Sequence, residues 1–170
     1  MKIRKAEISD LEQILILYKE TAKIPNGIAR KAHEINQDNI KDFFERSLKS
    51  GLIFVAEDTA NPSLLISEIH CYRNEAECFK HSLSNLTIVV HPNFQGQGVG
   101  KKIFSYLLTR VEVHHKDIAR IELMVRESNK KAIKLYQDLG FVIEGYCKNR
   151  ILNSDDQLES DVMMAWYNKI

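Results

Sequence analysis

The sequence predicts an α/β (α+β) protein built on one mixed sheet with helices on both faces. Three observations carry this. Apolar residues switch repeatedly between helical spacing and strand-like runs, giving the element order β α α β β β α β α β β. One β-α-β stretch, over residues 83–125, calls for a parallel, right-handed crossover. The composition, 44% hydrophobic and 28% charged over 170 residues, suits a single domain covering residues 1–170, with one sizeable core.

Residues 2–7 read as the first strand. Ser9 with Glu12 three residues on makes a capping box, and Leu11, Ile14, Leu15, Tyr18 and Ala22 follow at helical spacing. Pro25, Asn26 and Gly27 break that helix, and the polar stretch 24–35 reads as a loop over a site. A second helix spans 38–49, with Ile40, Phe43, Phe44 and Leu48 on one face and Gly51 closing it. Strands at 52–57 and 64–73 form a hairpin around the turn 58–63, and 74–81 is a connection. In the strand at 83–91, Leu86, Thr87, Ile88, Val89 and Val90 lack clean alternation, which indicates burial on both faces; Pro92 ends it.

The clearest helix spans 98–115, with Val99, Ile103, Phe104, Leu107, Leu108 and Val111 on one stripe. The strand at 118–125 alternates, with Ile121, Leu123 and Val125 on one side. Ser128 reads as the N-cap of a helix at 129–139 whose stripe is Ala132, Leu135, Tyr136 and Leu139, and Gly140 as the glycine just past its end. Strands at 141–148 and 161–168 flank a polar turn at 153–156.

Several function classes fall away. A formal charge of +1 gives no support for nucleic-acid or membrane-surface binding. No apolar run approaches the ~18 residues of a spanning helix, and the first residues lack a signal-peptide core, so the expected compartment is the cytoplasm. Cys71, Cys78 and Cys147 form no CxxC pair, and the histidines show neither HExxH nor finger spacing, so no metal is expected.

The chemistry sits after the strand at 83–91. There Gln95, Gly96, Gln97, Gly98, Val99 and Gly100 form a loop with glycine at every second position, opening an amphipathic helix. Helix N-termini carry unpaired N–H donors, and glycines let backbone approach an anion, so the loop suits phosphate or pyrophosphate. A Walker loop fails, because Gln95 stands where its first glycine belongs and Lys102 follows Lys101. A Rossmann fingerprint starting at Gly96 fails at Lys101.

The segment resembles the acyl-CoA loop of the GNAT superfamily (GCN5-related N-acetyltransferases), Gln/Arg-x-x-Gly-x-Gly/Ala after a strand ending like Val90, His91, Pro92. A second stretch, Asn129, Ala132, Leu135, Tyr136, Gly140 and Phe141, matches that family's Asn-x-x-Ala-x-x-Leu-Tyr-x-x-x-Gly-Phe. The resemblance covers residues 83–145 firmly and the rest by element order. It implies a mostly antiparallel sheet of six to seven strands, splayed at its central parallel pair.

It further implies acetyl-CoA as co-substrate. The pantetheine arm would lie along the backbone of Ile88, Val89 and Val90, in the manner of an added strand. Asn129 would hold the pantetheine chain. Backbone N–H groups of residues 95–100 would take the pyrophosphate, with Lys101 and Lys102 within reach of a further phosphate. Tyr136 would be the general acid for the departing thiolate, and a backbone N–H of residues 88–90 would polarise the thioester carbonyl. Glu68 and His70, on one face of the strand at 64–73, are the candidate bases, with Glu68 placed first and Glu122 behind them. Ser67 stands where the family often has glycine, and that bears on the acceptor side.

The resulting expectation is direct transfer of an acetyl or short acyl group to a primary amine, small molecule or peptide. A protein N-terminal or lysine acetyltransferase and a non-catalytic acyl-CoA sensor are the alternatives. A homodimer is left open.

Overall fold

Among the described residues the elements follow one another in the expected order. They are β1 (Lys2–Lys5), α1 (Leu11–Ala22), α2 (Gln37–Ser50), β2 (Gly51–Glu57), β3 (Leu65–Tyr72), β4 (Ser82–Val90), α3 (Val99–His114), β5 (Arg120–Arg126), α4 (Lys130–Asp138), β6 (Val142–Leu152) and β7 (Leu158–Tyr167). The computed structural model describes residues 1–24, 28, 30–153 and 156–169. The helix break at Pro25, Asn26 and Gly27, and the middle of the turn at 153–156, lie outside them. The strands form a seven-stranded sheet in the order β1-β2-β3-β4-β5-β7-β6. The β4–β5 pair is parallel, while β1–β2, β2–β3, β5–β7 and β6–β7 are antiparallel.

The chain divides into two compact units. The first comprises Met1–Tyr72 and Thr87–Leu108. Its core gathers Ile14, Leu17 and Tyr18 of α1, Ile40 and Phe44 of α2, Ile53 and Val55 of β2, Leu65 of β3 and Val89 of β4. Helix α2 is capped by Asn36, whose side chain accepts from Asn39 N–H at 2.9 Å. It passes into β2 with no intervening loop, and Gly51 makes this possible: a Cβ there would stand 2.0 Å from the Cys71 carbonyl oxygen. The capping box expected at Ser9 and Glu12 does not form. Asp10 takes the role instead, its Oδ2 accepting from Glu7 N–H at 2.7 Å while Arg4 grips both carboxylate oxygens at 2.7 and 2.8 Å. A bidentate arginine fixes Asp10 where the nearby serine has no such anchor.

The second unit comprises Arg73–Leu86 and Thr109–Ile170. Strand β5 runs antiparallel to β7 from Arg120, opposite Tyr167, to Arg126, opposite Asp161. Ile121, Leu123 and Val125 are buried, as their alternation predicts, beside Val162, Met164 and Trp166 of β7. The N-cap of α4 is Asn129 and not Ser128: its Oδ1 accepts from Ala132 N–H at 3.1 Å. Ile133 and Tyr136 are the buried positions of α4, and Ala132, Leu135 and Leu139 of the expected stripe are half-buried beside them. Gly140 follows with φ +93, the left-handed C-terminal glycine. Strand β6 extends to Leu152 and β7 begins at Leu158, both longer than their patterns suggest. β6 lies at the sheet edge and is exposed along most of its length, so burial imposes little alternation on it.

Candidate active site

In the first unit, β4 leads through a short turn, Pro92–Phe94, into the loop at residues 95–98 and then α3. His91 caps that turn, its Nδ1 accepting from Asn93 N–H at 3.2 Å. Two glutamines brace the loop from within: Gln95 Nε2 donates to the Val90 carbonyl at 3.0 Å and Gln97 Nε2 to the Asn93 carbonyl at 2.9 Å. Gly96 and Gly98 have φ of +73 and +79, a conformation that a Cβ disfavours, and open space lies where that Cβ would stand. The first helical hydrogen bond runs from Lys102 N–H to the Gly98 carbonyl at 3.1 Å. Val99, Gly100 and Lys101 therefore present the N–H groups that a helix start leaves without intrahelical partners. The expected stripe of α3 is buried throughout: Val99, Ile103, Phe104, Leu107, Leu108 and Val111. Val99 anchors the loop while Gln95, Gly96, Gln97, Gly98 and Lys101 remain exposed. The backbone N–H of Gln95 is taken by the Pro92 carbonyl at 3.3 Å.

On β4, Val89 is buried while Ile88 and Val90 are half-buried. Ser67 of β3 donates its hydroxyl to the Val89 carbonyl at 2.7 Å. Two consecutive β4 carbonyls, those of Val89 and Val90, are held by side chains of this chain.

Glu68 and His70 lie on one face of β3, as the spacing requires, but neither is an exposed strand residue. Glu68 is 0% and His70 4% exposed. Glu68 Oε2 accepts from the Tyr18 hydroxyl at 2.8 Å, and Glu68 Oε1 lies 3.0 Å from His70 Nδ1. The imidazole stacks on Phe43 with centroids 4.0 Å apart and planes 7° apart. Burial, followed by the adjacent Glu68 charge and hydrogen bond, pushes the Tyr18 hydroxyl well above its ordinary range. Tyr18 was legible only as a core position of α1; nothing in the sequence joins residues fifty positions apart. Cys71, the next residue, is completely buried, and burial pushes its thiol up to about 12, which removes it as a nucleophile near neutrality.

In the second unit, β4 pairs with β5 at Ser82 with Arg120 and Leu83 with Ile121. Asn85 then takes φ +54, a left-handed residue inside a strand. Such a residue bends a strand and ends regular pairing, and β5 continues to Arg126 paired with β7. Asparagine is the non-glycine residue that best tolerates this conformation, and its place in an apolar strand is the signal that sequence reading passed over. Tyr136 is 9% exposed, and burial raises its hydroxyl to about 12. It therefore stays protonated near neutrality, as a donor must. Asn129 has its Oδ1 committed to the cap of α4. Glu122, the remaining base candidate, accepts from Ser84 at 2.6 Å and pairs with Arg120 at 3.0 Å. Among the described residues no three His, Cys, Asp or Glu side chains are grouped to hold a metal ion, and no helix is long and apolar enough to cross a membrane.

Comparison with known proteins bears on both stretches. The [ribosomal protein bS18]-alanine N-acetyltransferase of Haemophilus ducreyi is 36% identical over 80 residues, covering 47% of this chain and 54% of that protein. The chain thus spans about half the length of that relative. The L-amino acid N-acyltransferase MnaT of Escherichia coli is 28% identical over 84% of this chain and 80% of its own length. The ribosomal-protein-alanine N-acetyltransferase of Brucella melitensis shares the fold with a TM-score of 0.83 at 20% identity, covering 98% and 99% of the two chains. The protein yncA of Salmonella typhimurium, solved with acetyl-CoA, does so at 0.85 and 19%, covering 100% and 95%. Residues 49–143, more than half of the sequence, match the family model of the acetyltransferase (GNAT) domain, and with the glycine loop opening α3 this makes the chain a member of the GNAT acetyltransferase family.

Proposed function

We propose that this protein transfers an acetyl group from acetyl-CoA to an α-amine, on a free amino acid or a peptide N-terminus, and does so in the cytoplasm as one domain over residues 1–170. The observation that carries the donor half is the loop. Its left-handed Gly96 and Gly98 feed an α3 start whose N–H groups are free to meet a pyrophosphate. The residues present fit the co-substrate: Gly96, Gln97, Gly98, Val99 and Gly100 for the pyrophosphate, Lys101 beside them, and the Ile88, Val89 and Val90 backbone for the pantetheine. Asn129 keeps its amide nitrogen for the same arm.

Two lines support an α-amine over a lysine. The relatives named above act, by their descriptions, on a protein alanine and on L-amino acids. For a peptide N-terminus the physics agrees: an amine must be neutral to attack, and a peptide α-amine of pKa about 7.8 is neutral in roughly one molecule in seven at pH 7, against about one in 2,500 for a lysine. The amine nitrogen forms a C–N bond to the thioester carbon, a β4 backbone N–H steadies the oxyanion, and the C–S bond breaks. Tyr136 gives its proton to the leaving sulfur. The Glu68–His70 pair is assigned the ammonium proton. The test is a screen with acetyl-CoA over amino acids, N-terminal peptides, polyamines and aminoglycosides, following free thiol. Turnover confined to polyamines or aminoglycosides, or tight binding with no turnover at all, would overturn the assignment.

A further inference from the structure

Within the Glu68–His70 pair the geometry points to a division of labour: we infer that His70 Nε2 takes the proton from the acceptor ammonium, with Glu68 and Tyr18 as positioning residues. This deepens the α-amine acetyltransferase reading and rests on it.

Glu68 is wholly buried, and both of its oxygens are engaged inside the cluster, Oε2 by Tyr18 and Oε1 by His70 Nδ1. A desolvated carboxylate survives only when its oxygens are hydrogen-bonded, and the groups that hold them here are the Tyr18 hydroxyl and His70 Nδ1. To take a proton from a substrate Glu68 would have to give up one of these bonds. His70 has no such conflict. An ionised carboxylate only accepts, so Nδ1 carries the hydrogen and Nε2 of the neutral ring carries the lone pair. Nε2 has no partner among the described residues. It is also absent from the fully enclosed polar atoms that go unpaired, so the little solvent contact the ring keeps reaches it.

The ring cannot turn away. Phe43 of α2 covers one face at 4.0 Å and Tyr72 lies parallel at 6.2 Å and 5°. The titratable and charged groups around it are Glu68 and Tyr72 on β3, Tyr18 on α1, Arg46 of α2, which lies 5.7 Å over the Tyr72 ring, and Arg30, whose charge acts on Tyr18. A carboxylate fixing the tautomer of a histidine whose other nitrogen works is the logic of hydrolase triads. The proton balance closes. Of the two protons the ammonium loses on becoming an amide, one goes to His70 Nε2 and on to solvent. The second replaces the proton that Tyr136 gives to sulfur.

The experiment combines kinetics and spectroscopy. The pH dependence of kcat/KM is measured with acetyl-CoA against L-amino acids and an alanine-initiated peptide, for the parent, His70→Gln, Glu68→Gln and Tyr18→Phe. Long-range ¹H–¹⁵N spectra of the ¹⁵N-histidine-labelled parent record the His70 tautomer. The expected results are an Nδ1–H tautomer, and in His70→Gln loss of the acidic limb with kcat down at least 100-fold. Acetyl-CoA affinity should stay within twofold. Glu68→Gln keeps the limb with kcat reduced, because the amide no longer fixes the tautomer of the ring. Tyr18→Phe keeps the limb with kcat reduced a few-fold. Loss of the limb in Glu68→Gln with its retention in His70→Gln would make Glu68 the base and overturn the inference, leaving the activity intact. An Nε2–H tautomer overturns it without any variant having to fold. A parent inert toward every α-amine overturns the activity reading itself.

Discussion

Gly98→Ala separates the backbone conformation of the loop from its packing. Gly98 has φ +79, and a Cβ built there meets nothing within 4 Å, so the substitution adds strain without collision. An L-residue held left-handed costs about 1–2 kcal/mol. If the loop keeps its shape, that cost falls on stability, at roughly 2–4 °C of Tm per kcal/mol for a chain of this size. If the loop relaxes, the N–H groups at the start of α3 lose their common aim and the cost falls on binding, where the same energy is roughly 5–30-fold in acetyl-CoA Kd. Gly100 is the internal control, since it lies in α3 and its φ is not left-handed. Gly100→Ala should keep or raise Tm, because alanine favours a helix by up to about 1 kcal/mol over glycine. Calorimetric titration with acetyl-CoA and a thermal melt on both variants give all four numbers. A Gly98→Ala protein with the parent's Tm and the parent's Kd would falsify the link between left-handed backbone and anion binding.

Gly51→Ala places a methyl group 2.0 Å from the Cys71 carbonyl and 2.6 Å from Tyr72 Cα, with backbone on both counts. Urea unfolding should show a loss of at least the ~1–3 kcal/mol usual for overpacking, and an unchanged midpoint would mean that β2 and β3 can part cheaply. Tyr136→Phe should leave acetyl-CoA Kd unchanged and cut kcat at least tenfold; unchanged turnover removes Tyr136 from the mechanism. Because burial holds the Tyr136 hydroxyl near 12, its ionisation should add no falling limb to kcat below about pH 11. Stability should also decline in alkali. The Cys71 thiol is raised from 9.0 to about 12, so its contribution is complete below about pH 9 and is lost as pH climbs through 12. Urea midpoints at pH 8, 9.5 and 11 should fall in the parent and fall less steeply in Cys71→Ala.

What the sequence made legible follows the strength of local signals. All six apolar positions of the α3 stripe are buried because a long, strongly amphipathic helix allows no other orientation. The glycine loop was readable because left-handed turns and close backbone approach both demand glycine. The cap of α4 was misplaced by one residue because Ser128 and Asn129 are both good caps, and only the Ala132 contact decides between them. The capping box before α1 was misassigned because its true member, Asp10, is chosen by Arg4 of β1, outside the local pattern. The Tyr18–Glu68–His70 cluster joins α1 to β3 by hydrogen bonds, and no spacing rule reaches across that separation. Ser67 shows the same limit: a serine in an apolar strand reads as neutral until its hydroxyl is found on the Val89 carbonyl.

Neither compact unit is a continuous length of polypeptide. The chain leaves the first after Tyr72, returns at Thr87 in the middle of β4, and leaves again after Leu108 within α3. Each crossing falls at the end of a strand or inside a strand or helix, never in a free linker. Neither unit can therefore be excised as a fragment with natural ends, and a split-protein reporter or a domain insertion at Leu86 or Leu108 would break an element. The turn at 58–63, between β2 and β3 and within one unit, is exposed and far better suited to such engineering.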